Sequence, residues 1–528
     1  MRTLIKNATL LDGVCTRPFP GDVYLKGDRI EAVGAGLDFE ADAVLDCGGL
    51  LVAPGFVDIH RHPDLAVFGE AFGESELAQG ITSIVGGNCG LSPVPMSAAW
   101  EQASRNFLAP CLGAADTPMF DSFPAYLQGL RGRPLPVNMG MLAAVGAIKT
   151  CVKGFGPAPF TGAEMDRARA LLGEALDQGA LGVSLGIMYP PECYTSMEEY
   201  IRLLGAATPY GRPMCCHIRG EGASLVESVQ EALDIAREVE LPLHISHFKS
   251  TGLQSWRKLI YQAIERIERA QSRGMDVTVD FYPYEAGAST LLSLVPPELL
   301  GTDLEAFLGE IVTQGGKARM REALYRSQNG WDNMVQAIGW ERIVLSSAEG
   351  MEECAGLDFC AVAQKLGLSE PSDAMCQVLA GTRGKAGVVL MSMCPEDVRA
   401  VAALPYSMLI SDALYGGGAA HPRQKGAFPR FLKQFVPQAL SLGEAIRKMT
   451  ALPAQRLGIP DRGRLQEGCY ADIAIFDPGR FTDRATYAQP QLLAEGMDMV
   501  LVNGKLAWKN QARLQTEAGR ILLASQQK

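Results

Sequence analysis

The sequence lacks the features that mark membrane-spanning and nucleic-acid-binding proteins. None of its apolar runs reaches the roughly 18 residues that a membrane-spanning helix needs. Lysine and arginine total 48 against 59 acidic residues, a net charge of −11, and they form no dense basic run. An acidic chain of this kind is poorly suited to bind nucleic acid. We therefore expect neither nucleic acid nor a membrane as a partner.

The sequence also lacks the marks of a secreted disulfide-rich protein. Its thirteen cysteines are an odd number scattered through 528 residues, which favours free thiols in a reducing compartment over a disulfide framework. The first residues, MRTLIKNAT, have no apolar core of a signal peptide. With 47% hydrophobic and 20% charged residues, a disordered or coiled-coil chain is excluded. We expect a cytoplasmic globular protein.

The middle of the chain alternates strand-like and helix-like segments. Eight short apolar runs occupy residues 51–60, 81–85, 137–145, 181–187, 213–217, 241–247, 277–282 and 407–411. Amphipathic helical patterns, such as those over 163–178 and 223–240, separate them. Strands that alternate with helices are typical of a parallel sheet, and eight of them predict an α/β fold with a closed (β/α)₈ TIM barrel.

Both ends of the chain carry further strand-like segments. They cover residues 4–10, 22–26, 29–33, 471–476 and 499–505, and turn-forming residues bound them. Neither end has enough strands to close a core alone, so we expect 1–55 and 455–528 to form one small β-sandwich domain. The barrel then occupies 56–454, with a helical insertion at about 291–345.

Histidine is scarce, and its positions are informative. The six histidines are His60, His62, His217, His244, His247 and His421. At least four end predicted strands, and the C-terminal strand ends form the active site of a (β/α)₈ barrel. His60 and His62 share one strand face and can share a metal ion, and His217 and His247 end two further runs. By the same alternation His244 points away from His247, so we interpret it as a hydrogen-bonded structural histidine.

Two more residues extend the pattern. Asp412 closes the last apolar run, where a carboxylate is unfavourable unless it caps a helix or meets a metal or a partner. By itself it suggests a helix cap, but beside four strand-end histidines it predicts a catalytic carboxylate. Cys89 lies among glycines in GGNCG. A lone cysteine usually only fills space in the protein core. The set of histidines requires a metal, however, and a thiolate is a good zinc ligand, so we predict that Cys89 is a metal ligand.

Short motifs follow one another in order along nearly the whole chain. They are VAPGFVDIHRH (52–62), GNCG (87–90), YPP (189–191), HIRGEG (217–222), SHFK (246–249), YPY (282–284), SD (411–412) and HPR (421–423). Together they resemble the amidohydrolase superfamily and, within it, the family of N-acyl-D-amino-acid deacylases.

The resemblance implies a zinc hydrolase that cleaves N-acyl-D-amino acids. It implies one tightly held zinc ion bound by Cys89, His217 and His247, and a second, weaker site at His60 and His62 that shares the cysteine. Many members of the superfamily bridge two metals with a lysine on the fourth strand. The corresponding run here, LGVSLG (181–186), has neither lysine nor glutamate, which disfavours chemistry of the hydantoinase or dihydroorotase type.

The chemistry of amide hydrolysis assigns further roles. The reaction needs a strong nucleophile, a polarised carbonyl and a proton for the departing nitrogen. Zinc supplies the first two, by lowering the pKa of its water to about 7 and by acting as a Lewis acid. Asp412 beside that water can accept its proton and later pass it to the amine.

Two cations are candidates for binding a substrate carboxylate. Lys249 lies two residues beyond His247 on the same face, and Arg423 lies on the loop after Asp412. The alternative interpretation is that both are loop side chains exposed to solvent, as lysine and arginine usually are. The resemblance, however, implies that both bind the carboxylate. Weaker candidates for lining the pocket are Tyr189, Tyr282 and Ser289, and we expect Arg219 and Glu221 to form an ion pair that braces His217.

Other functions remain open at this stage. Another amidohydrolase, acting on cyclic amides or unusual dipeptides, is the second enzyme hypothesis. A non-catalytic barrel scaffold is the third, although scaffolds of this origin usually lose their metal ligands. The preference for D over L substrates rests on the resemblance alone, and the sequence predicts no oligomeric state.

Overall fold

A computed structural model describes residues 1–113, 119–300, 304–326, 332–416 and 421–525. The strands are β1 (Arg2–Leu10), β2 (Phe19–Lys26), β3 (Arg29–Gly34), β4 (Ala43–Asp46), β5 (Leu51–Pro54), β6 (Phe56–Asp58), β7 (Ile81–Gly86), β8 (Asn138–Met141), β9 (Ala143–Ala144), β10 (Val183–Gly186), β11 (Met214–His217), β12 (Leu243–Ile245), β13 (Val277–Phe281), β14 (Gly287–Thr290), β15 (Ile343–Ser347), β16 (Gly387–Leu390), β17 (Ser407–Leu409), β18 (Ile473–Phe476), β19 (Met497–Val502), β20 (Lys505–Lys509), β21 (Ala512–Arg513) and β22 (Ile521–Leu522).

The helices lie between these strands. They are α1 (Glu74–Leu77), α2 (Glu101–Leu112), α3 (Phe123–Arg131), α4 (Val145–Lys153), α5 (Gly162–Asp177), α6 (Met197–Leu204), α7 (Leu225–Glu238), α8 (Leu259–Ser272), α9 (Pro297–Leu300), α10 (Leu304–Ile311), α11 (Gln314–Tyr325), α12 (Met334–Ile338), α13 (Phe359–Lys365), α14 (Pro371–Gly381), α15 (Pro395–Ala403), α16 (Arg423–Phe435), α17 (Leu442–Met449) and α18 (Ala451–Arg456). Within the described ranges, no helix is both long and apolar enough to cross a bilayer.

Local sequence signals explain where several helices begin. Helices α5, α6 and α17 each start with a capping box, in which a serine or threonine bonds to the backbone three residues on and a glutamate there bonds back. Two otherwise unpaired backbone N–H groups are satisfied in each case. These three helices thus start at positions that the sequence marks.

The strands of the middle of the chain pair in parallel, in an order that largely follows the chain. One sheet has the order β17-β13-β12-β11-β10-β9, and another has β22-β8-β7-β6. Strands β8 and β9 are separated by one residue, and a parallel bridge between Arg61 and Ala413 joins the ends of β6 and β17. Each of the eight runs predicted as strands contains at least one of these strands. Their residues are almost entirely buried, as parallel strands covered by helices require.

The two ends of the chain meet in one sheet. Nine strands form it, in the order β21-β20-β19-β18-β5-β1-β2-β3 with β4 added on β1. The two ends join where β5 pairs antiparallel with β18, and Val52 lies opposite Ile475. A separate apolar cluster packs on this sheet. It includes Ile5 and Leu10 from the N-terminal part of the chain and Ile473 and Leu501 from the C-terminal part.

The segment between β13 and β17 forms a further packed layer. It contains an antiparallel sheet with the order β14-β16-β15 and the helices α9 to α14. An apolar cluster of its own extends from Leu291 to Leu390. The helical insertion predicted over 291–345 lies inside this segment, which also includes strands because β14 and β15 both pair with the distant β16.

A buried polar network links the terminal sheet to the parallel strands. Asp472 is 2% exposed and pairs with the guanidinium of Arg462. Its carboxylate also accepts hydrogen bonds from Asn138 Nδ2 (3.0 Å) and from the backbone N–H of Asn503 (2.7 Å). Because Asn138 is the first residue of β8, this carboxylate joins two separate sheets.

Replacement of Asp472 tests the importance of this network. We expect Asp472→Ala to lower the free energy of unfolding by about 3–5 kcal/mol, because it leaves the buried Arg462 charge unpaired. The control is Glu495→Ala, which removes an ion pair with Arg484 whose side chains are half exposed and should cost at most about 1 kcal/mol. Urea and thermal unfolding followed by circular dichroism measure both. Equal effects of the two substitutions would contradict the prediction.

Candidate metal centre

The C-terminal ends of five parallel strands bring together the predicted metal ligands and the predicted catalytic carboxylate. His60 and His62 follow β6, Cys89 follows β7, His217 ends β11, His247 follows β12 and Asp412 follows β17. All six side chains are buried, none with more than 5% of its surface exposed. Buried polar and ionisable groups at this density are unfavourable unless they bind one another or a common ion.

The backbone at three of these positions is strained. Cys89, His247 and Asp412 have φ angles of 55°, 35° and 50°, in the left-handed region that residues with a Cβ rarely adopt. Each such residue costs of order 1–3 kcal/mol, and strain of this kind clusters at functional sites. Ser184 on β10 supports the Cys89 turn, because its hydroxyl accepts a hydrogen bond from Gly90 N (3.2 Å) and donates one to the Gly87 carbonyl.

The donor atoms of these side chains lie close together. Cys89 Sγ is 3.3 Å from His60 Nε2 and 3.4 Å from His247 Nε2. Asp412 Oδ1 is 3.5 Å from His60 Nε2 and 3.3 Å from His62 Nε2. Three overlapping sets of donors could each hold a metal ion: His60 with Cys89 and His247, His60 with His62 and Asp412, and His217 with Glu221 and His247.

The chemistry of these donors fits a zinc-like ion. Burial lowers the pKa of His62 to about 4 and that of His217 well below its usual range, so both rings are neutral and able to bind a metal. In the part of the chain that the structure describes, Nδ1 of each ring is buried without a hydrogen-bond partner. Burial, together with Asp412 and Asp280, raises the pKa of the Cys89 thiol, so a cation is required to make it a thiolate.

Two carboxylates, Asp280 and Glu221, contact the histidine rings, and Glu221 is also a member of one of the three donor sets. Asp280 Oδ2 is 3.2 Å from His60 Nδ1 and 2.8 Å from His244 Nε2. Glu221 Oε1 is 3.0 Å from His247 Nδ1. A carboxylate on the far nitrogen of a metal-binding histidine sets its tautomer and increases its basicity. His244 lies outside the three donor sets and bonds on its other side to Thr278 Oγ1 (2.8 Å).

Sequence reasoning did not identify Asp280 and misassigned Glu221. Asp280 lies inside an apolar strand run, and the argument that singled out Asp412 applies to it equally, because a buried carboxylate needs a partner. The ion pair expected between Arg219 and Glu221 is wrong. Arg219 Nη2 instead pairs with Glu231 on α7 at 2.8 Å, whereas Glu221 faces the donors and pairs with Lys249.

A cavity that encloses about 650 Å³, counting the part open to solvent, lies over the donors. Every predicted site residue except His60 lines it, and these are His62, Cys89, Tyr189, His217, His247, Lys249, Tyr282, Ser289, Asp412 and Arg423. His60 is fully buried beneath it. Glu221 also lines the cavity, so metal donors and candidate substrate-binding groups share one space.

Both cations of the cavity are paired with carboxylates and flank one aromatic ring. Arg423 Nη1 is 2.8 Å from Asp412 Oδ2, and Lys249 Nζ contacts both Glu221 and His247 Nδ1, the latter at 2.9 Å. The Tyr282 ring centroid is 4.7 Å from Arg423 Cζ and 5.8 Å from Lys249 Nζ. Arg423 Nε is buried without a partner among the described residues, so this guanidinium has hydrogen-bonding capacity left.

Comparisons with known proteins give a consistent result. A model of the Amidohydrolase family matches residues 408–507. The chain is 31% identical to D-aminoacylase of Alcaligenes xylosoxydans xylosoxydans over 98% of this chain and 97% of that protein. It is also 31% identical to N-acyl-D-glutamate deacylase of the same organism, over 98% and 96% of the two chains.

Solved structures agree with this result over the full length. A crystal structure of D-aminoacylase superposes with a TM-score of 0.84 at 29% identity and covers 99% of both chains. N-acyl-D-glutamate deacylase from Bordetella bronchiseptica, complexed with zinc and a phosphonate mimic of the tetrahedral intermediate, superposes with a TM-score of 0.84 at 28% identity and covers 99% of both chains.

Substitution of Cys89 tests the donor geometry independently of activity. We expect Cys89→Ser to lower the zinc content of the purified protein at least about tenfold, because a thiolate is the better zinc ligand. The matched control is Cys111→Ser, which changes a cysteine of the same cavity that lies outside the donor sets. Metal content is measured by inductively coupled plasma mass spectrometry. Equal zinc in the two variants would exclude Cys89 as a ligand.

Proposed function

This chain belongs to the N-acyl-D-amino-acid deacylase family of the amidohydrolases, and we propose that it hydrolyses the amide bond of N-acyl-D-amino acids in a zinc-dependent reaction. The products are a carboxylate and a free D-amino acid. The observation that carries the proposal is the convergence of Cys89, the strand-end histidines and Asp412 beneath one cavity with two cations. The relatives with these activities match the chain from end to end.

The proposed architecture is a (β/α)₈ barrel over 56–454 with a small β-sandwich domain formed by 1–55 and 455–528. The parallel pairing order supports a closed barrel, because the bridge from Arg61 to Ala413 connects the first of the eight strand runs to the last. The antiparallel pairing of β5 with β18 supports a domain built from both chain ends. The thirteen free cysteines support a reducing, cytoplasmic location.

In the proposed site, Cys89, His217 and His247 hold one zinc ion tightly, and His60 and His62 provide a second, weaker site that shares the cysteine. A zinc ion bound there supplies a Lewis acid that polarises the amide carbonyl and makes water a stronger acid. Asp280 keeps His60 in the tautomer that presents Nε2 to the donor cluster. Glu221 Oε1 lies 3.0 Å from Nδ1 of His247 and holds that ring in place.

Asp412 is the proposed proton shuttle. Burial opposes its ionisation, but Arg423 and the neighbouring histidines hold the pKa of Asp412 well below its usual range. The carboxylate is therefore ionised at neutral pH and can accept the proton of the attacking water. The same proton then passes to the amide nitrogen as the C–N bond breaks, so that the amine leaves neutral and Asp412 is regenerated.

Arg423 and Lys249 are proposed to bind the substrate α-carboxylate, with Tyr282 between them. The planar guanidinium suits bidentate binding of a carboxylate. Tyr189 and Ser289 line the same cavity and restrict the remaining space. Hydrolysis of cyclic amides by a lysine-bridged metal pair is disfavoured, because the fourth of the eight strand runs contributes Ser184 and no lysine.

Paired substrates test the reaction, its stereochemistry and its metal dependence together. We expect N-acetyl-D-methionine to be hydrolysed, the L enantiomer to react at least about 100-fold more slowly, and a chelator to remove activity that added zinc restores. N-acetyl-D-methioninamide, which lacks the carboxylate, should lose about 10–100-fold in kcat/KM, since hydrogen bonds to a charged group contribute about 1.5–3 kcal/mol. Chelator-resistant activity, or equal rates for both enantiomers, would contradict the proposal.

Substitution of Asp412 tests the proton shuttle. We expect Asp412→Asn to lower kcat by about 100- to 10,000-fold, because the amide cannot accept a proton, while the zinc held by Cys89, His217 and His247 is retained. Turnover and zinc content are measured on the same sample. The control is Asp397→Asn, at a buried aspartate that accepts hydrogen bonds from Arg257 and does not line the cavity. Near-wild-type turnover in the zinc-loaded Asp412 variant would exclude the shuttle.

A further inference from the structure

Arg61 stands between two predicted metal ligands but faces the opposite way. His60 and His62 both belong to the donor sets, and the alternation that puts them on one face of the strand puts Arg61 on the other. The Arg61 side chain is fully buried and lies outside the cavity over the donors. The proposed chemistry gives this cation no part in binding metal or substrate, yet a buried charge is unfavourable unless it has partners.

Three side chains bind the Arg61 guanidinium. Nη1 donates to Asp58 Oδ2 (3.2 Å), Nη2 donates to Glu76 Oε1 (2.7 Å) and Nε donates to the Tyr415 hydroxyl (3.0 Å). The Tyr415 hydroxyl in turn donates to the Glu76 carboxylate. We refer to these four residues as the Arg61 cluster. Because they come from the end of β6, from α1 and from the loop after β17, the cluster joins three separate parts of the chain.

The Arg61 cluster places three charges in the protein interior. Asp58, Arg61 and Glu76 are each fully buried, so two carboxylates share one guanidinium. Each carboxylate also accepts a backbone hydrogen bond, Asp58 from Ser411 N (3.1 Å) and Glu76 from Gly73 N (3.1 Å). Ionic groups bonded in this way have a fixed geometry, because the loss of one partner leaves a buried charge uncompensated.

Two members of the cluster hold the chain on either side of Asp412. Asp58 accepts hydrogen bonds from the backbone N–H (3.1 Å) and the hydroxyl (2.5 Å) of Ser411, which precedes Asp412. Tyr415, three residues after Asp412, is bound by Arg61. Asp412 itself has a φ of 50°, and a residue in this strained region keeps its conformation only where its surroundings impose it. The Arg61 cluster supplies that constraint.

The same guanidinium contacts the helix that carries Arg423. Arg61 Nη2 is 3.4 Å from the carbonyl oxygen of Gln424, which follows Arg423 in the first turn of α16. The Gln79 side chain donates to this carbonyl as well, at 2.8 Å. Arg423 Nη1 is 2.8 Å from Asp412 Oδ2. Arg61 therefore binds both of the segments whose relative position sets this ion pair.

We propose that Arg61 is a positioning residue that holds the Asp412 carboxylate in place beside the metal donors and Arg423. This inference rests on the proposed function, in which Asp412 moves the proton and Arg423 binds the substrate carboxylate. Arg61 acts only through the segments that it binds. An arginine suits this role, because its planar guanidinium offers five N–H donors in a fixed fork, whereas a lysine ammonium is a compact charge with three.

A charge-conserving substitution tests the proposal. We expect Arg61→Lys to lower kcat/KM for N-acetyl-D-methionine about 10- to 100-fold, since a displacement of about 1 Å costs up to about 100-fold, while the zinc content is unchanged. The control is Arg462→Lys, the same exchange at the buried arginine that pairs with Asp472, which should keep wild-type kcat/KM. Thermal unfolding measures the stability that each exchange costs. Equal kcat/KM values for the two variants would overturn the proposal.

A second variant removes one hydrogen-bonding group and leaves every charge of the cluster in place. Tyr415→Phe deletes the hydroxyl that joins Arg61 to the loop after β17, and we expect kcat to fall about 3- to 10-fold, the equivalent of one hydrogen bond. The control is Tyr210→Phe, which deletes a hydroxyl that donates to Asp177 (2.6 Å) on the N-terminal side of β11 and should leave kcat unchanged. A wild-type kcat in Tyr415→Phe would show that the cluster does not position the loop.

A double-mutant cycle determines whether the effect passes through Asp412. In the Asp412→Asn background, Tyr415→Phe should change the residual kcat by less than about twofold, because the group to be positioned is already lost. A merely structural role of the Tyr415 hydroxyl would lower kcat by the same factor in both backgrounds. Additive effects of the two substitutions would therefore overturn the proposal.

The outcomes also separate this inference from the proposed function. Loss of turnover in Asp412→Asn, together with full turnover in Arg61→Lys and Tyr415→Phe, would overturn the role of Arg61 alone. Wild-type turnover in zinc-loaded Asp412→Asn would overturn the proposed proton shuttle, and with it the role of Arg61 in positioning that carboxylate.

Discussion

The geometry of the candidate metal centre depends on one buried carboxylate, that of Asp280. It bonds to His60 Nδ1, to His244 Nε2 and to the backbone N–H of His247, and it is fully buried. Burial alone would keep this group neutral, but His60 and His244 hold the pKa of Asp280 below its usual range. A single ionised carboxylate on β13 thereby holds the His60 ring, which follows β6, and the backbone of His247, which follows β12.

The charges of the cavity are arranged as two carboxylate–cation pairs. Glu221 pairs with Lys249 and Asp412 pairs with Arg423. Each pair lets a buried charge persist, since an unpaired one would cost several kcal/mol. The same arrangement serves the proposed chemistry: an ionised Asp412 can accept a proton, and an arginine with unused hydrogen-bonding capacity can bind a carboxylate. Beyond Tyr189 the lining is apolar and includes Trp100, Phe107 and Phe155.

Much of the fold was accessible from the sequence. Each of the eight apolar runs predicted as strands contains a strand. Hydrophobic periodicity and turn residues are local features, so they can be read directly from the sequence. The extent of the layer between β13 and β17 could not be predicted. Strand β16 pairs with β14, about a hundred residues before it, and with β15, about forty residues before it, and no local pattern in the sequence indicates either partner. The prediction of an Arg219–Glu221 pair failed because Arg219 pairs with Glu231 on α7 and Glu221 pairs with Lys249.

The sequence by itself determined which residue types stand at the strand ends, and parity along each strand determined which of them share a face. That was enough to select His60, His62, Cys89, His217, His247 and Asp412 as one group. Only the tertiary structure decided which atoms meet. It decided the left-handed backbone at Cys89, His247 and Asp412, the carboxylates beside His60 and His247, and the apolar wall beside Tyr189. Distances between side chains on different strands depend on how the sheet closes and packs, and short-range sequence patterns do not contain that information.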